Sequence, residues 1–596
     1  MAMSAPSVLI RIGGEGGEGV ISTGDLLSRA ASRSGLSIMT YRTFPAEIKG
    51  GLAQFQMKLS TEPLLSIGLN FDYLMAFNQE ALDSFHRTVF DGGTIFYDPA
   101  ECKLDGINEN AERVAVPLSE LAKEKGGSLR GKNMVALGFL GSLAGLDLEV
   151  LRGLVTEKFG TKGGKVLDAN IASLEAGHEH GQVSLDGKRG VGLPLHAHAD
   201  RENTIVISGN EATTIGAIAA GCRFMAGYPI TPASSILELA SRQMPRFGGT
   251  VVQAEDEIAA LAACIGASFA GKKAMTATSG PGLMLMTELI TLASTQELPV
   301  VVIDVQRAGP STGMPTKQEQ SDLKFAIYGT AGEAPKIVMA PTSVRDCFYE
   351  IARAFALAET YQLPVLFLSD TSLGVRTETI AEPLVEEIPV VDRLRPTREQ
   401  LTEYKRYLDT PTGVSPLVDP GTPGGLYISS GLEHDEAGSP CYTPAGHTKM
   451  TAKRFRKLET LKADIGQWKD DFHPAKGAEL CVIGWGSTEG AIREAIQMAA
   501  ERGIRVAHFH PRILSPLPEK RIAAFLEPIK KVLVVEENFT GQFSHFLKAK
   551  FKFDPIEVLK CTGVPFAPDE ILEAIVQAHE GLVEKIAVGV NHGHSR

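Results

Sequence analysis

The sequence predicts an α/β protein built from three parallel-sheet domains. One local pattern occurs three times: an apolar, β-branched run meets a Gly-containing turn, and a helical segment follows. The copies are VLIRIGGEGGEGVISTGDLLSRAA from Val8, TIVISGNEATTIGAIAAGC from Thr204 and ELCVIGWGSTEGAIREAIQMAA from Glu479. Each is the opening strand–helix unit of an α/β domain. Alternating strand and helix signals follow each copy, which argues for parallel sheets covered by helices. The chain has 596 residues, 43% hydrophobic and 22% charged, enough for several globular cores.

The first domain spans 1–175. A polar, Gly- and His-rich stretch at 176–203 reads as a linker, and its histidines His178, His180, His196 and His198 read as solvated rather than metal-binding. The second domain spans 204–392. A segment at 393–476, dominated by Pro, Gly and charge, holds one amphipathic stretch, MTAKRFRKLETLKADI. It reads as an extended connection without its own core. The third domain covers 477–596.

Acidic residues outnumber basic ones by 71 to 59, for a formal charge of −12, so a phosphate backbone is an unfavoured partner. No apolar stretch is long enough to span a bilayer. The start MAMSAPSVLIRIGG has neither a basic region nor a sustained apolar core, so no secretory signal is expected. The seven cysteines are scattered and contain no CxxC. That pattern fits a reducing cytoplasm and supplies neither an iron–sulfur cluster nor a zinc site.

Within the first domain, Gly14-x-Gly16-x-x-Gly19 has the form of a dinucleotide fingerprint between a strand and a helix. The second strand should end in a ribose-binding acid, but LSIMTYRTFP ends in Tyr41, Arg42 and Thr43. Three readings stay open: a close turn with no ligand, an NAD(P) site, or a site for another anion such as a CoA phosphate. Lys49, beside Gly50 and Gly51, reads either as an exposed turn lysine or as one able to reach an anion.

The second domain holds the chemistry. In MAGYPITPASSILELA, Thr231-Pro232 reads as a helix start, with Thr as N-cap and Pro at the first helical position. It is either a simple cap or a site for a carboxylate or carbonyl oxygen. Next, Glu255, Asp256 and Glu257 open a helix of small apolar residues with almost no polar face. Such a helix is buried or packed on another subunit. The acids either complement the helix dipole, or one of them turns inward to share a proton with a heterocycle nitrogen. Ser279-Gly280-Pro281-Gly282 is a tight strand-to-helix turn. The apolar run LPVVVIDVQ then delivers Arg307 into the loop AGPSTGMPT, which ends at Thr316. An arginine at the C-terminal end of a parallel strand lies where open α/β sheets bind ligands, and its fork suits a carboxylate.

YPITP, QAEDEIAALAACIGAS, TSGPG and QRAGPSTGMPT, in that order, resemble the 2-oxoacid:ferredoxin oxidoreductases. The chain is most similar to the large alpha subunit with a gamma module fused ahead of it, and most like the 2-oxoglutarate enzymes. GGEGGEGV and IKGGLAQ resemble the gamma module. Gly484, Gly486 and Gly490 resemble a transketolase C-terminal-like domain, expected to serve assembly and to help enclose the site without supplying a catalytic residue. The resemblance implies that the second domain is the pyrimidine-binding domain for thiamine diphosphate. Tyr228, Pro229, Ile230 and Thr231 would line the cofactor, and Glu257 would hydrogen-bond its aminopyrimidine ring. Thr231, Arg307 and Thr316 would contact substrate. Lys49 and Arg42 are candidates for a distal carboxylate, and Gly14, Gly16, Gly17 and Gly19 for CoA.

No GDG motif is present, so Mg²⁺, the cofactor's diphosphate and a [4Fe-4S] cluster are expected on a smaller beta subunit of an (alpha-beta)₂ assembly that reduces ferredoxin. The implied reaction is the CoA-dependent conversion of 2-oxoglutarate to succinyl-CoA, with the carboxylating direction open. Pyruvate and branched-chain 2-oxo acids, an NAD-linked dehydrogenase and a non-catalytic scaffold are the alternatives.

Overall fold

A computed structural model describes residues 7–43, 50–185, 203–551, 553–582 and 585–588. The described chain forms two compact units, one of residues 1–207 with 375–382, the other of 208–374 with 383–596. The expected α/β class holds throughout.

The first unit carries an eight-stranded sheet in the order Glu112–Ala115, Val89–Tyr97, Phe71–Ala76, Ser7–Glu15, Leu52–Ser60, Ser37–Thr43, Thr377–Ala381, Thr204–Ser208. It is mixed, not parallel as the sequence reading has it. Leu52–Ser60 runs antiparallel to both Ser7–Glu15 and Ser37–Thr43. Too few residues separate Thr43 from Leu52 for a crossover helix, and only an antiparallel return is that short.

The stretch read as a linker from 176 also differs. A helix runs unbroken from Gly164 to Ser184, so that boundary falls inside it. Its glycines explain why. A Cβ on Gly177 would strike the Val135 carbonyl, and one on Gly138 of the facing helix Lys132–Leu143 would strike the Leu174 carbonyl. The Gly-rich composition that suggests a loop instead lets two helix backbones touch, and His178 is buried there. His196 and His198 lie outside the described residues.

The second unit holds two sheets. The larger runs Ile513–Ser515, Ile337–Met339, Pro364–Asp370, Val300–Gln306, Ala274–Thr278, Phe224–Gly227, Thr250–Gln253. Six strands are parallel, and Ile513–Ser515 pairs antiparallel with Ile337–Met339. The other sheet runs Phe472–His473, Val506–Phe509, Leu480–Ile483, Lys531–Glu536, Ile556–Lys560, Lys585–Val588. Ile513–Ser515 belongs in sequence to the third domain yet completes the sheet of the second. Arg512 just before it bonds Asp346 at 3.0 Å and Asp471 at 3.2 Å. The second and third modules are therefore one compact body, a point the sequence reading missed. Within the segment 393–476, the helix Pro444–Ala463 is anchored by buried charge.

Candidate active site

Strand Val300–Gln306 lies inside the parallel sheet and is buried along its whole length. Its C-terminal end is held on both sides. Ser279 Oγ donates to the Val305 carbonyl at 2.8 Å, and Thr371 Oγ1 to the Gln306 carbonyl at 2.9 Å. The next residue, Arg307, is only 7% exposed, and its Nη1 donates to the Thr231 carbonyl at 2.6 Å. Two residues far apart in sequence thus meet at the C-terminal edge of the sheet, where open α/β folds bind ligands. Burial lowers the Arg307 pKa, while Asp322 and Asp304 pull it back up.

Thr231 is not a helix cap, contrary to the sequence reading. The helix begins at Ser234, with Ala233 at its N-cap position, and the Thr231-Pro232 peptide is cis. Ala233 and Ser234 N–H both close on the Ile230 carbonyl, at 2.8 and 3.0 Å, so a turn precedes the helix. Asn210 Nδ2 fixes this turn through the Pro232 carbonyl and Ser235 Oγ, both at 2.9 Å. Tyr228 and Pro229 are exposed beside it, and Ile230 and Thr231 are half-buried.

The three acids divide their tasks. Asp256 caps the helix Glu257–Phe269, accepting from Ala259 N–H at 2.7 Å, and Glu255 faces solvent. Glu257 turns inward and is 6% exposed. It lies over the TSGPG turn: a Cβ on Gly282 would come within 2.6 Å of Glu257 Oε1 and would strike Thr278 Oγ1. Glycine is required there to leave room for the carboxyl. Ile258, Met284 and Leu285, which flank it, are 46%, 60% and 53% exposed.

A cavity of about 490 Å³ opens beside Arg307. Its wall includes Gly280, Glu319 and Asp322 from the second module and Asn538, Phe539 and Cys561 from the third. The third module therefore lines part of this cavity. Gln318 and Gln320 tie the two together. Gln318 Nε2 donates to Glu537 Oε2 at 2.5 Å, and Gln320 N–H to the Glu537 carbonyl at 2.7 Å. Thr316 is buried in the same loop. Sequence reading missed Asp304, Asp322 and Glu319. An aspartate inside the apolar run VVVIDVQ is the signal that could have found the first.

In the first unit, Arg42 pairs with Asp25 at 3.1 Å, and Lys49 lies outside the described residues. The glycine loop is partly self-satisfied. Gly16 N–H donates to Gly51 at 2.9 Å, Glu18 N–H to Glu15 at 3.0 Å, and Glu15 N–H to the Glu18 carboxylate at 2.7 Å. Glu18 thus occupies one place an anion would take. Gly17 and Gly19 hold positive φ of 103° and 86°.

Three family models match in order. Residues 9–180 match pyruvate ferredoxin/flavodoxin oxidoreductase. Residues 215–453 match pyruvate flavodoxin/ferredoxin oxidoreductase, thiamine diphosphate-binding. Residues 478–564 match core domain II of pyruvate:ferredoxin oxidoreductase. The 2-oxoglutarate oxidoreductase subunit KorA of Mycobacterium tuberculosis is 34% identical over 97% of this chain and 93% of its own length. The chain belongs to the 2-oxoacid:ferredoxin oxidoreductase family. A solved 2-oxoglutarate:ferredoxin oxidoreductase from Magnetococcus marinus, with 2-oxoglutarate, coenzyme A and succinyl-CoA bound, matches with a TM-score of 0.89. It is 41% identical and covers 96% of this chain and 99% of that one. The 2-oxoglutarate synthase subunit KorA of Methanothermobacter marburgensis is 38% identical over 62% of this chain and 98% of its own length. As a 2-oxoacid:ferredoxin oxidoreductase subunit, the chain carries the family's thiamine diphosphate-binding domain, and Glu257, Thr231 and Arg307 all lie within its bounds. The buried Glu257 over Gly282 fits an aminopyrimidine partner: an inward carboxyl with clearance kept around it.

Proposed function

We propose that this chain is the large subunit of a cytoplasmic, CoA-dependent 2-oxoglutarate:ferredoxin oxidoreductase. It supplies the pyrimidine and substrate side of a site completed by a smaller beta subunit in an (alpha-beta)₂ assembly. The observation that carries the reading is the meeting of Arg307 with the Thr231 carbonyl at the mouth of a cavity of about 490 Å³. A guanidinium held by one nitrogen keeps the rest of its fork for a carboxylate. The Magnetococcus marinus structure, with its bound 2-oxoglutarate and CoA, supports the choice of substrate.

Thiamine diphosphate, when bound, supplies the electron sink for decarboxylation. Tyr228, Pro229, Ile230 and Thr231 would line it, and Glu257 would hydrogen-bond its aminopyrimidine. Arg307, Thr231 and Thr316 orient the 2-oxo acid. Lys49 and Arg42 are the candidates that the family resemblance offers for a distal carboxylate, and Arg42 pairs with Asp25. The N–H groups of Gly17 and Gly19 take part in holding CoA. The exposed Ile258, Met284 and Leu285 beside Glu257 form an apolar surface suited to the beta subunit, which brings Mg²⁺ and the [4Fe-4S] cluster.

The test is purification from the native host, followed by viologen reduction. A smaller iron-containing partner that co-purifies, with dye reduced only when 2-oxoglutarate and CoA are both present, is the expected outcome. Turnover of pyruvate or branched-chain 2-oxo acids instead would overturn the substrate. A lone, iron-free and inert chain would overturn the reading.

A further inference from the structure

Behind Arg307 lie acids that the mechanism above does not use. Asp304, on the strand that delivers Arg307, is wholly buried, and neither of its oxygens has a hydrogen-bond donor. Its side chain meets that of Asp322, whose Oδ2 also lacks a donor. Asp322 is held in place by its N–H, which donates to Gln306 Oε1 at 3.1 Å. Gly280 keeps clearance for it, since a Cβ there would lie 2.8 Å from Asp322 Oδ2. Asp322 also lines the cavity with Arg307. Two carboxylates in contact, with no donor between them, cannot both carry charge.

We propose that Asp304 and Asp322 form a carboxyl pair that shares one proton and so sets the charge behind Arg307 met by an incoming 2-oxo acid carboxylate. The inference rests on the reading that Arg307 binds that carboxylate. The pair acts through Arg307, so its members are positioning residues.

The surrounding charges support this. The groups facing the pair are Arg307 and Glu319. Glu319 accepts from Gly309 N–H at 3.1 Å and from Cys561 Sγ at 3.6 Å, and burial raises its pKa. Lys324, on the helix Leu323–Tyr328 that Asp322 precedes, bonds His545 at 3.0 Å. Three ionised acids around one arginine would repel an anionic substrate, whereas a retained proton removes one of those charges. Burial first, and Asp322 next, push the Asp304 pKa well up. Burial and Glu319 push Asp322 to about 6. Asp304 is therefore the member of the pair that holds the proton more tightly, and Asp322 is the one that titrates at about 6. Below about pH 6 Asp322 also protonates, and the cavity becomes more favourable to an anion.

The test uses the chain with its co-purified partner subunit and the variants Asp304→Asn and Asp322→Asn. Either amide donates to the remaining carboxyl and favours its ionised form. The infrared difference spectrum, wild type minus variant, is expected to show a protonated-carboxyl band at neutral pH. The wild-type KM for the 2-oxo acid should rise about three- to tenfold from pH 5 to 7. In Asp322→Asn it should stay flat, with the difference in KM rather than kcat. No band in either difference spectrum, or variant KM profiles parallel to wild type, would overturn the proposal. If Asp304→Asn fails to fold, Asp322→Asn, on the cavity wall, decides by the same two readouts. An enzyme that turns over no 2-oxo acid sinks the functional reading, and the band then decides the proton pair without it.

Discussion

At the scale of single residues, the proposed function gives Glu257 and Arg307 separable roles. Glu257→Gln keeps the shape over Gly282 but removes the acid, and is expected to lower kcat by about 10²–10⁴. A loss below about tenfold would favour a scaffold role for the chain. Arg307→Lys keeps the charge but loses the fork that reaches the Thr231 carbonyl and the substrate together, so KM should rise with little change in kcat. An unchanged KM removes Arg307 from the substrate site. Two buried histidines make a prediction about pH. His510 Nε2–H donates to the Gly486 carbonyl at 3.0 Å, leaving Nδ1 to accept from His508 Nε2 at 3.3 Å. A further proton on His510 would set N–H against N–H. Burial holds its pKa at about 3, against 6.5 when free. The unfolded chain therefore binds this proton where the fold does not, and stability falls as pH drops from 6.5 toward 3. His510→Gln, which does not titrate, should make the fall in apparent Tm across that window shallower. A slope equal to wild type would count against the assignment.

At the scale of elements, the connecting segment is a clamp made of charge. Glu297, wholly buried at φ 53°, takes Lys453 Nζ on both oxygens at 2.7 Å and Lys457 Nζ at 2.6 Å. Arg406 donates to its backbone carbonyl at 2.7 Å. One acid thus bonds two lysines of the helix Pro444–Ala463, balances one of their charges and pins that helix to the second module, while burial lowers the Lys457 pKa to about 7. Glu297→Gln leaves both lysines buried without a counter-charge, and should cost about 3–5 kcal/mol, read from the urea midpoint. A cost under about 1 kcal/mol would mean that water reaches the lysines. The alternation of Gly, Pro and charge in the sequence marks this segment as lacking a core. It gives no sign that Lys453 and Lys457 are buried, because the partner that buries them lies more than a hundred residues away.

At the scale of the whole molecule, the proposed function makes the site half of a larger one. Glu257 sits at the base of a surface where Ile258 is 46% and Met284 60% exposed. An isolated chain has no use for that much exposed apolar area around a buried acid. Ile258→Glu places an unpaired charge in the surface assigned to the beta subunit. The variant chain should keep the wild-type Tm yet lose both the co-purifying partner and dye reduction. Co-purification at the wild-type ratio would move the interface elsewhere.

The sequence by itself determined the α/β class, the family, and the order of YPITP, the acidic helix start, TSGPG and the Arg307 loop, because strand and helix periodicity and turn chemistry are local. Tertiary structure alone decided which of three adjacent acids turns inward, since only the clearance at Gly282 selects Glu257 over Asp256. It also decided that residues 176–184 of the Gly-rich stretch continue a packed helix, and that Ile513–Ser515 completes the sheet of another module. The Asp304–Asp322 contact became visible only there as well. In each case the deciding force is packing between residues distant in the chain, which no local pattern encodes.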